Sequence, residues 1–189
     1  PPNDGSDAAD DDEDASGARA AETPLSHNQE SLYVMWRLEP ASAAYNSILC
    51  CADATLTLNV AALHSALGHL CSRHAPLRTT YALAAGGQPV QRIAPHAHAA
   101  DAFGFEEVDV GAAARGETEA ASEARVAALL DARAHAAFDL VAGPVLRAVV
   151  VANRAGGKPP ALLLVAHHIA LDGWSAAVML RELGALYTE

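Results

Sequence analysis

The sequence predicts an α/β fold in which helices pack on a mixed β-sheet. Three observations carry this prediction. Several segments space their apolar residues three or four apart, as helices do, and others are short alternating or continuous apolar runs typical of strands. The two kinds are interspersed along the 189 residues in the order helix, strand, helix, hairpin, strand, long helix, strand, strand, helix. This length suits one medium domain or one lobe of a larger one.

The first segment is acidic and lacks large apolar residues. Residues 1–24 hold eight acidic side chains and one basic one, so they carry −7 of the total formal charge of −11. Such a segment buries too little apolar surface to offset the entropy of ordering it. We expect residues 1–24 to be a disordered acidic linker or docking tail, with the folded part over residues 25–189.

The first helix has a clear start and stop. Ser26 is a suitable N-cap, and Gln29 three positions later completes a capping box. The helix is predicted to reach Leu38, because Pro40 restricts the residue before it. Residues 45–58 follow and have the composition of a strand.

A second helix and a hairpin come next. Asn59 can cap a helix that ends before Pro76. Its apolar stripe consists of Val60, Leu63, Leu67, Leu70 and Cys71. Residues 78–83 and 89–93 then flank Gly86-Gly87, which predicts a β-hairpin.

The remaining elements alternate in type. Residues 103–110 alternate as a strand does, and residues 117–137 are rich in the helix formers Ala, Glu and Arg. Residues 145–152 are a strand, residues 156–160 (Gly-Gly-Lys-Pro-Pro) are a turn, and residues 162–165 form an apolar run suited to a strand buried on both faces.

Composition excludes several functional classes. Lys and Arg number 12 against 23 Asp and Glu, and without a basic cluster the chain is a poor ligand for nucleic acid. The longest strongly apolar stretch, residues 162–166, is far shorter than the ~20 residues that span a bilayer. The three cysteines (Cys50, Cys51 and Cys71) form no disulfide framework, which favours a reducing cytoplasm. The chain begins with Pro1, which suggests a piece of a longer polypeptide.

The reactive side chains concentrate in residues 167–175, between the apolar strand and a last helix predicted over residues 174–187 with Val178, Leu183 and Leu186 on its apolar side. Strand-to-helix turns are where open α/β sheets present reactive groups. Since neighbouring strand residues point to opposite faces, His167 and His168 are not expected to do the same job. Gly173 allows a tight turn or a close approach to a ligand. No G-x-S-x-G, H-E-x-x-H or phosphate-binding glycine motif occurs.

Four segments in order resemble the condensation domains of nonribosomal peptide synthetases, which are similar in fold to chloramphenicol acetyltransferase. His167-His168 with Asp172-Gly173 matches the family's His-His-x-x-x-Asp-Gly motif. Residues 73–81 resemble its Arg-His-Glu-x-Leu-Arg-Thr-x-Phe motif, with Ala75 in place of Glu and Tyr81 in place of Phe. The other two resemblances lie at residues 24–29 with 40–46 and at residues 138–147.

This resemblance implies that residues 25–189 form an N-terminal lobe of the chloramphenicol acetyltransferase type. In the family, the active site lies in a tunnel between this lobe and a C-terminal one. Carrier proteins deliver substrates there on phosphopantetheine arms, and no cofactor is bound directly. The implied reaction is attack of an amine or hydroxyl on a carrier-bound acyl or peptidyl thioester, in a peptide or hybrid polyketide assembly line. The chain without the second lobe is expected to be inactive.

The resemblance also assigns roles. The second motif histidine, His168, is the catalytic residue, and imidazole titrates close enough to neutral pH to accept a proton. The amide of Gly173 is expected near the oxyanion. Asp172 is expected to pair with Arg78 and to shape the loop. Structural roles at the active site are expected for His167 and for Trp174, the latter by packing.

Two alternatives accompany this interpretation. His168 and Asp172 are four residues apart, but no third ligand is suitably spaced, so no metal site is predicted. The chain as supplied could also be a non-catalytic module that docks carrier proteins. The intact His168, Asp172 and Gly173 favour an enzyme, whereas the missing second lobe favours the docking module.

Overall fold

The computed structural model describes residues 21–52, 58–110, 118–153 and 158–188. The predicted acidic tail lies mostly outside these residues, but its end does not. Ala21–Pro24 form strand β1, which pairs with a strand near residue 90. The folded part therefore begins four residues before residue 25, because an open sheet edge offers backbone partners to a segment that has no apolar anchors of its own.

A four-stranded mixed sheet forms the centre, with the strand order β2-β7-β6-β5. Its strands are β2 (Asn46–Ala52), β5 (Gly104–Asp109), β6 (Leu146–Asn153) and β7 (Lys158–His167). Only the β5–β6 pair is parallel, and a helix connects these two strands, as a parallel connection requires. The predicted mixed sheet with helices packed on it is confirmed.

Strand β7 is longer than predicted. The turn expected over residues 156–160 is wrong in its second half, because Lys158, Pro159 and Pro160 already belong to β7. Asn153 pairs with Lys158 across a local irregularity in the ladder. Proline is tolerated at the beginning of a strand, where its missing N–H removes little of the ladder. Residues 154–157 lie outside the described residues.

A smaller antiparallel sheet has the order β1-β4-β3. The predicted hairpin consists of β3 (Thr79–Leu83) and β4 (Pro89–Ile93), and Gly87 at its turn has a φ of 82° that favours glycine. Arg92 on β4 donates to the Glu22 carboxylate on β1 at 2.8 Å.

Four α-helices occur among the described residues, and the first two begin at the predicted caps. They are α1 (His27–Leu38), α2 (Val60–Arg73), α3 (Glu119–Ala134) and α4 (Gly173–Thr188). Ser26 and Gln29 form the predicted capping box, and the Asn59 side chain accepts from the amide of Ala62. Short 3-10 helices cover Ala75–Arg78 and His96–Asp101. None of the described helices is long and apolar enough to cross a bilayer.

The core lies on both faces of the four-stranded sheet because β6 and β7 are buried on both sides. On one face, Leu146 and Leu164 pack with Leu67 of α2 and Leu183 of α4. On the other face the cluster includes Tyr33 of α1. The continuous apolar run in β7 therefore contributes side chains to the core on both faces of the sheet, as its composition predicts.

Candidate active site

The His-His segment is held where β7 leaves the central sheet. The amide of His167 donates to the Val145 carbonyl at 2.9 Å, and the amide of His168 donates to the Tyr45 carbonyl at 2.8 Å. The amide of Ala170 then donates to the His167 carbonyl at 3.0 Å and closes a turn. Backbone hydrogen bonds alone therefore hold the main chain of both histidines in place.

His168 presents one imidazole nitrogen to the exterior. Its side chain is exposed, and Nδ1 lies 2.6 Å from the carbonyl oxygen of Leu171. A carbonyl oxygen only accepts, so Nδ1 carries the proton in this bond. In the neutral ring Nε2 then holds a lone pair and can accept a proton.

His167 has the opposite environment. It is 2% exposed, and its Nδ1 accepts a bond from the amide of Ile169 at 3.1 Å. Its ring lies 6.0 Å from the ring of Phe138 and 6.3 Å from that of Tyr45, centre to centre. Burial, and secondarily the charge of His168, lowers the pKa of His167 to about 4. His167 is thus a neutral packed residue at pH 7, on the other face of the strand from its neighbour.

Asp172 caps α4. Its Oδ1 accepts from the amide of Ser175 at 2.8 Å, and its carbonyl accepts from the amide of Ala176 at 2.9 Å. Hydrogen bonds from Ser175 are the main reason that the pKa of Asp172 is lowered, and His168 adds a smaller charge effect. The carboxylate also suits the positive end of the helix dipole.

Arg78 does not pair with Asp172, and that expectation is wrong. The buried guanidinium donates from Nη1 to the carbonyls of Cys71 and Ser72 at 2.9 and 2.8 Å, and from Nε to that of Ala94 at 2.8 Å. The first two carbonyls belong to the last turn of α2 and have no partner inside the helix. Arg78 therefore closes the C-terminus of α2, while the exposed Asp172 finds its partners on its own helix.

The packing expected of Trp174 is absent from the described residues, whereas the expected oxyanion role of the Gly173 amide stays a prediction. Gly173 has no positive φ, and a Cβ built there meets nothing within 4 Å, so the backbone does not require glycine. Trp174 is 83% exposed and does not pack in the described part of the chain. Both residues begin α4 at the surface, where no core neighbour lies opposite them. A groove of about 160 Å³ adjoins Trp174, with Leu77 and Met179 in its lining.

His168 opens onto a cleft whose other wall is α1. The cleft has a volume of about 520 Å³, within the usual range for small-molecule sites. From α1 and its cap it is lined by Ser26, Asn28, Gln29, Ser31 and Leu32. The side of His168 contributes the turn to α4, including Asp172 and Ser175. The sequence indicates a motif at residues 24–29 but not that it lies near His168, because about 140 residues separate the two.

A second cluster that the sequence did not reveal joins α2 to α4. Glu182 accepts from Arg73 at 3.2 Å and lies 2.8 Å from Nε2 of His74. The hydrogen bond with His74 is the largest cause of the lowered pKa of Glu182. These residues tie the start of the Arg-His motif to the helix that follows His168. Among the described residues, no three or more His, Cys, Asp or Glu side chains are grouped to hold a metal ion.

Comparison with known proteins identifies relatives of this chain. A family model described as "Condensation domain" matches residues 19–189. Chondramide synthase cmdD of Chondromyces crocatus is 39% identical over 165 residues, which cover 87% of this chain and 4% of that protein. Malpinin synthetase of Mortierella alpina is 33% identical over 171 residues, covering 90% and 2%. The chain thus spans only a small part of the curated relatives it matches.

Solved structures share the fold. The starter condensation domain of the rhizomide synthetase RzmA superimposes with a TM-score of 0.71 at 18% identity, over 89% of this chain and 38% of that one. The first condensation domain of the calcium-dependent antibiotic synthetase, in complex with a substrate analogue, gives a TM-score of 0.66 at 20% identity, over 87% and 36%. The predicted fold class is therefore confirmed.

Proposed function

This chain belongs to the condensation-domain family of nonribosomal peptide synthetases, and on that premise we propose that it is the N-terminal lobe of a domain that joins two carrier-bound substrates. The amine, or hydroxyl, of one substrate attacks the acyl or peptidyl thioester of the other. The solved relatives are more than twice as long as the segment that matches this chain, which supports a second lobe that covers the open side of the cleft.

The chemistry assigns His168 the part of proton acceptor. As the nucleophile adds to the thioester carbon, its N–H or O–H proton passes to Nε2, and the carbonyl oxygen becomes an oxyanion. Collapse breaks the C–S bond, and the proton leaves with the carrier thiol. The first amides of α4 have no partners inside the helix, so the amide of Gly173 is a candidate donor to the oxyanion.

One observation carries this proposal: the Nδ1 of His168 is bound to the Leu171 carbonyl while its ring faces the cleft. The backbone bond selects the tautomer with a free Nε2 before substrate arrives. His167 is buried and neutral, which suits a structural role.

The substrates would be covalently attached to phosphopantetheine arms of upstream and downstream carrier proteins, with no cofactor held by the lobe itself. The buried free thiol of Cys71 agrees with a reducing cytoplasm as the site of this reaction. Residues 1–20 would serve as a linker or docking segment before β1.

The test is a condensation assay in the synthetase that contains this chain, with both carriers loaded and products read by intact-protein mass spectrometry. His168→Ala should lower the rate ~10² to 10⁴-fold, the usual contribution of a positioned acid or base. His69→Ala, on an exposed face of α2, is the matched control and should retain the wild-type rate.

Full activity of the His168→Ala protein would overturn the catalytic assignment. A wild-type protein that binds loaded carriers but forms no product would instead identify a docking module. The 189-residue chain alone should fold but form product slowly. Alignment of two tethered substrates is worth ~7 to 11 kcal/mol and requires both lobes.

A further inference from the structure

Most polar side chains in the cleft beside His168 already have partners within the lobe. Ser26 and Gln29 bond to each other's backbone in the capping box at 2.9 and 3.3 Å. The Ser31 hydroxyl donates to the His27 carbonyl at 3.1 Å. Ser175 is bonded to Asp172. These groups are committed to holding α1 and α4 in place.

Asn28 differs from the polar residues around it. Its side chain is exposed, lines the cleft and makes no hydrogen bond to any residue that the structure describes. Ser31 and Leu32, three and four positions later, lie on the same face of α1 and line the same cleft. Asn28 therefore presents an unused carboxamide on the wall opposite the unprotonated nitrogen of His168.

A carboxamide has both kinds of hydrogen-bonding group, two N–H donors and a carbonyl acceptor. A secondary amide offers one donor and one acceptor on opposite sides of its trans bond, so it can engage the carboxamide through either group. An anion could only accept from this carboxamide, and a cation could only donate to it. The apolar side chain of Leu32 beside Asn28 also suits the methylene groups that flank an amide in an extended chain.

We propose that Asn28 binds a secondary amide of the carrier-bound substrate and so helps to select and place it against His168. This inference rests on the proposed function and adds a specificity residue to the same site. The amide has two possible sources. It can belong to the pantetheine arm, which every carrier-bound substrate shares, or to the last peptide bond of a peptidyl donor.

The experiment uses the synthetase that contains this chain and measures binding by calorimetry. Three non-hydrolysable pantetheine ketones serve as probes. The first carries an octanoyl group, the second carries an N-acetyl-aminoacyl group, and the third is the octanoyl probe with an ester in place of the arm amide nearest the sulfur position. Binding is measured for the wild-type protein, Asn28→Ala and the isosteric Asn28→Asp, which keeps the acceptors but loses both donors.

Asn28→Ala should weaken binding roughly 3- to 10-fold, the effect of one net hydrogen bond. Asn28→Asp should also weaken it, although the volume of the side chain is kept. If the arm amide is the partner, the first two probes lose affinity in the variants and the ester probe does not. If the peptidyl amide is the partner, only the aminoacyl probe loses affinity. His27→Ala is the control, because that neighbouring side chain is fully exposed and lies outside the cleft lining.

Equal affinity of the wild type and both variants for all three probes would overturn the inference, as would a wild-type protein that binds none of them. The condensation assay separates this inference from the proposed function. Turnover by the wild type with unchanged binding in the variants refutes only the role of Asn28. Binding that depends on Asn28, without turnover by the wild type, supports the role of Asn28 and refutes condensation.

Discussion

Arg78 and Asp172 provide the sharpest test of the lobe, because their motifs suggest an ion pair and the structure separates them. Replacing Arg78 with Met removes three charge-assisted bonds to the carbonyls of Cys71, Ser72 and Ala94. Each such bond is worth ~1.5 to 3 kcal/mol, and the loss is partly offset because a buried guanidinium no longer has to be desolvated. We expect Arg78→Met to lower the free energy of unfolding by roughly 3 to 5 kcal/mol.

Asp172→Ala should have a much smaller effect, because it removes only the exposed cap of α4. The measurement is urea unfolding of the 189-residue chain for the wild type, both single variants and the double variant. Residues without shared partners behave additively, so the double variant should lose the sum of the two single effects. Arg78→Lys is a milder change, because it keeps the charge but loses the planar guanidinium group. Its free energy of unfolding should lie between those of the wild type and Arg78→Met.

A coupling as large as the Asp172→Ala effect itself would refute this reasoning and restore the ion pair. So would an Arg78→Met variant as stable as the wild type, since the carbonyls at the end of α2 would then have found other partners. Equal stability of Arg78→Lys and the wild type would show that charge alone, without the planar group, closes the helix.

Three further outcomes follow from the turn before α4 and its surroundings. Because burial lowers the pKa of His167 from 6.5 to about 4, unfolding takes up a proton and the lobe should lose stability as the pH falls through that window. In urea unfolding at several pH values, His167→Gln should reduce the dependence of the free energy of unfolding on pH, and the control His69→Gln should keep it. Retention of the full pH dependence in His167→Gln would refute this prediction. Gly173→Ala should leave the melting temperature unchanged. Gly143 has a φ of 71°, so Gly143→Ala should lower the free energy of unfolding by about 1 to 3 kcal/mol. A larger loss of stability in Gly173→Ala than in Gly143→Ala would contradict the backbone geometry. Trp174→Phe should remove the fluorescence that acrylamide quenches most strongly without altering stability; quenching that persists would mean that this indole is not the exposed one.

Local order along the chain was predictable because its causes are local. The capping box at Ser26 and the cap at Asn59 are choices made within four residues, and both occur where the sequence predicts them. The apolar stripe of α2 is buried from Leu63 onward, as its spacing indicates, and Val60 is half-buried. Strand alternation likewise indicated that His167 and His168 would face different surroundings.

The errors have a common cause as well. Strand β1 was assigned to the disordered tail because its stabilising bonds come from β4, about 70 residues away. Trp174 is predicted to pack, yet it is 83% exposed and no described element lies over it. In both cases the outcome depends on residues that are distant in sequence.

Sequence alone was enough to establish the succession of helices and strands, the family of the chain and the reactive histidine pair. Periodicity, caps and short motifs are readable over a few residues. Which groups meet became known from the packed structure. It placed Arg78 against the end of α2 rather than beside Asp172, and it set the Asn28 face of α1 across a cleft from His168. Such pairings depend on how layers pack on the central sheet, and the free energy of that packing is a sum over many distant contacts that no local pattern contains.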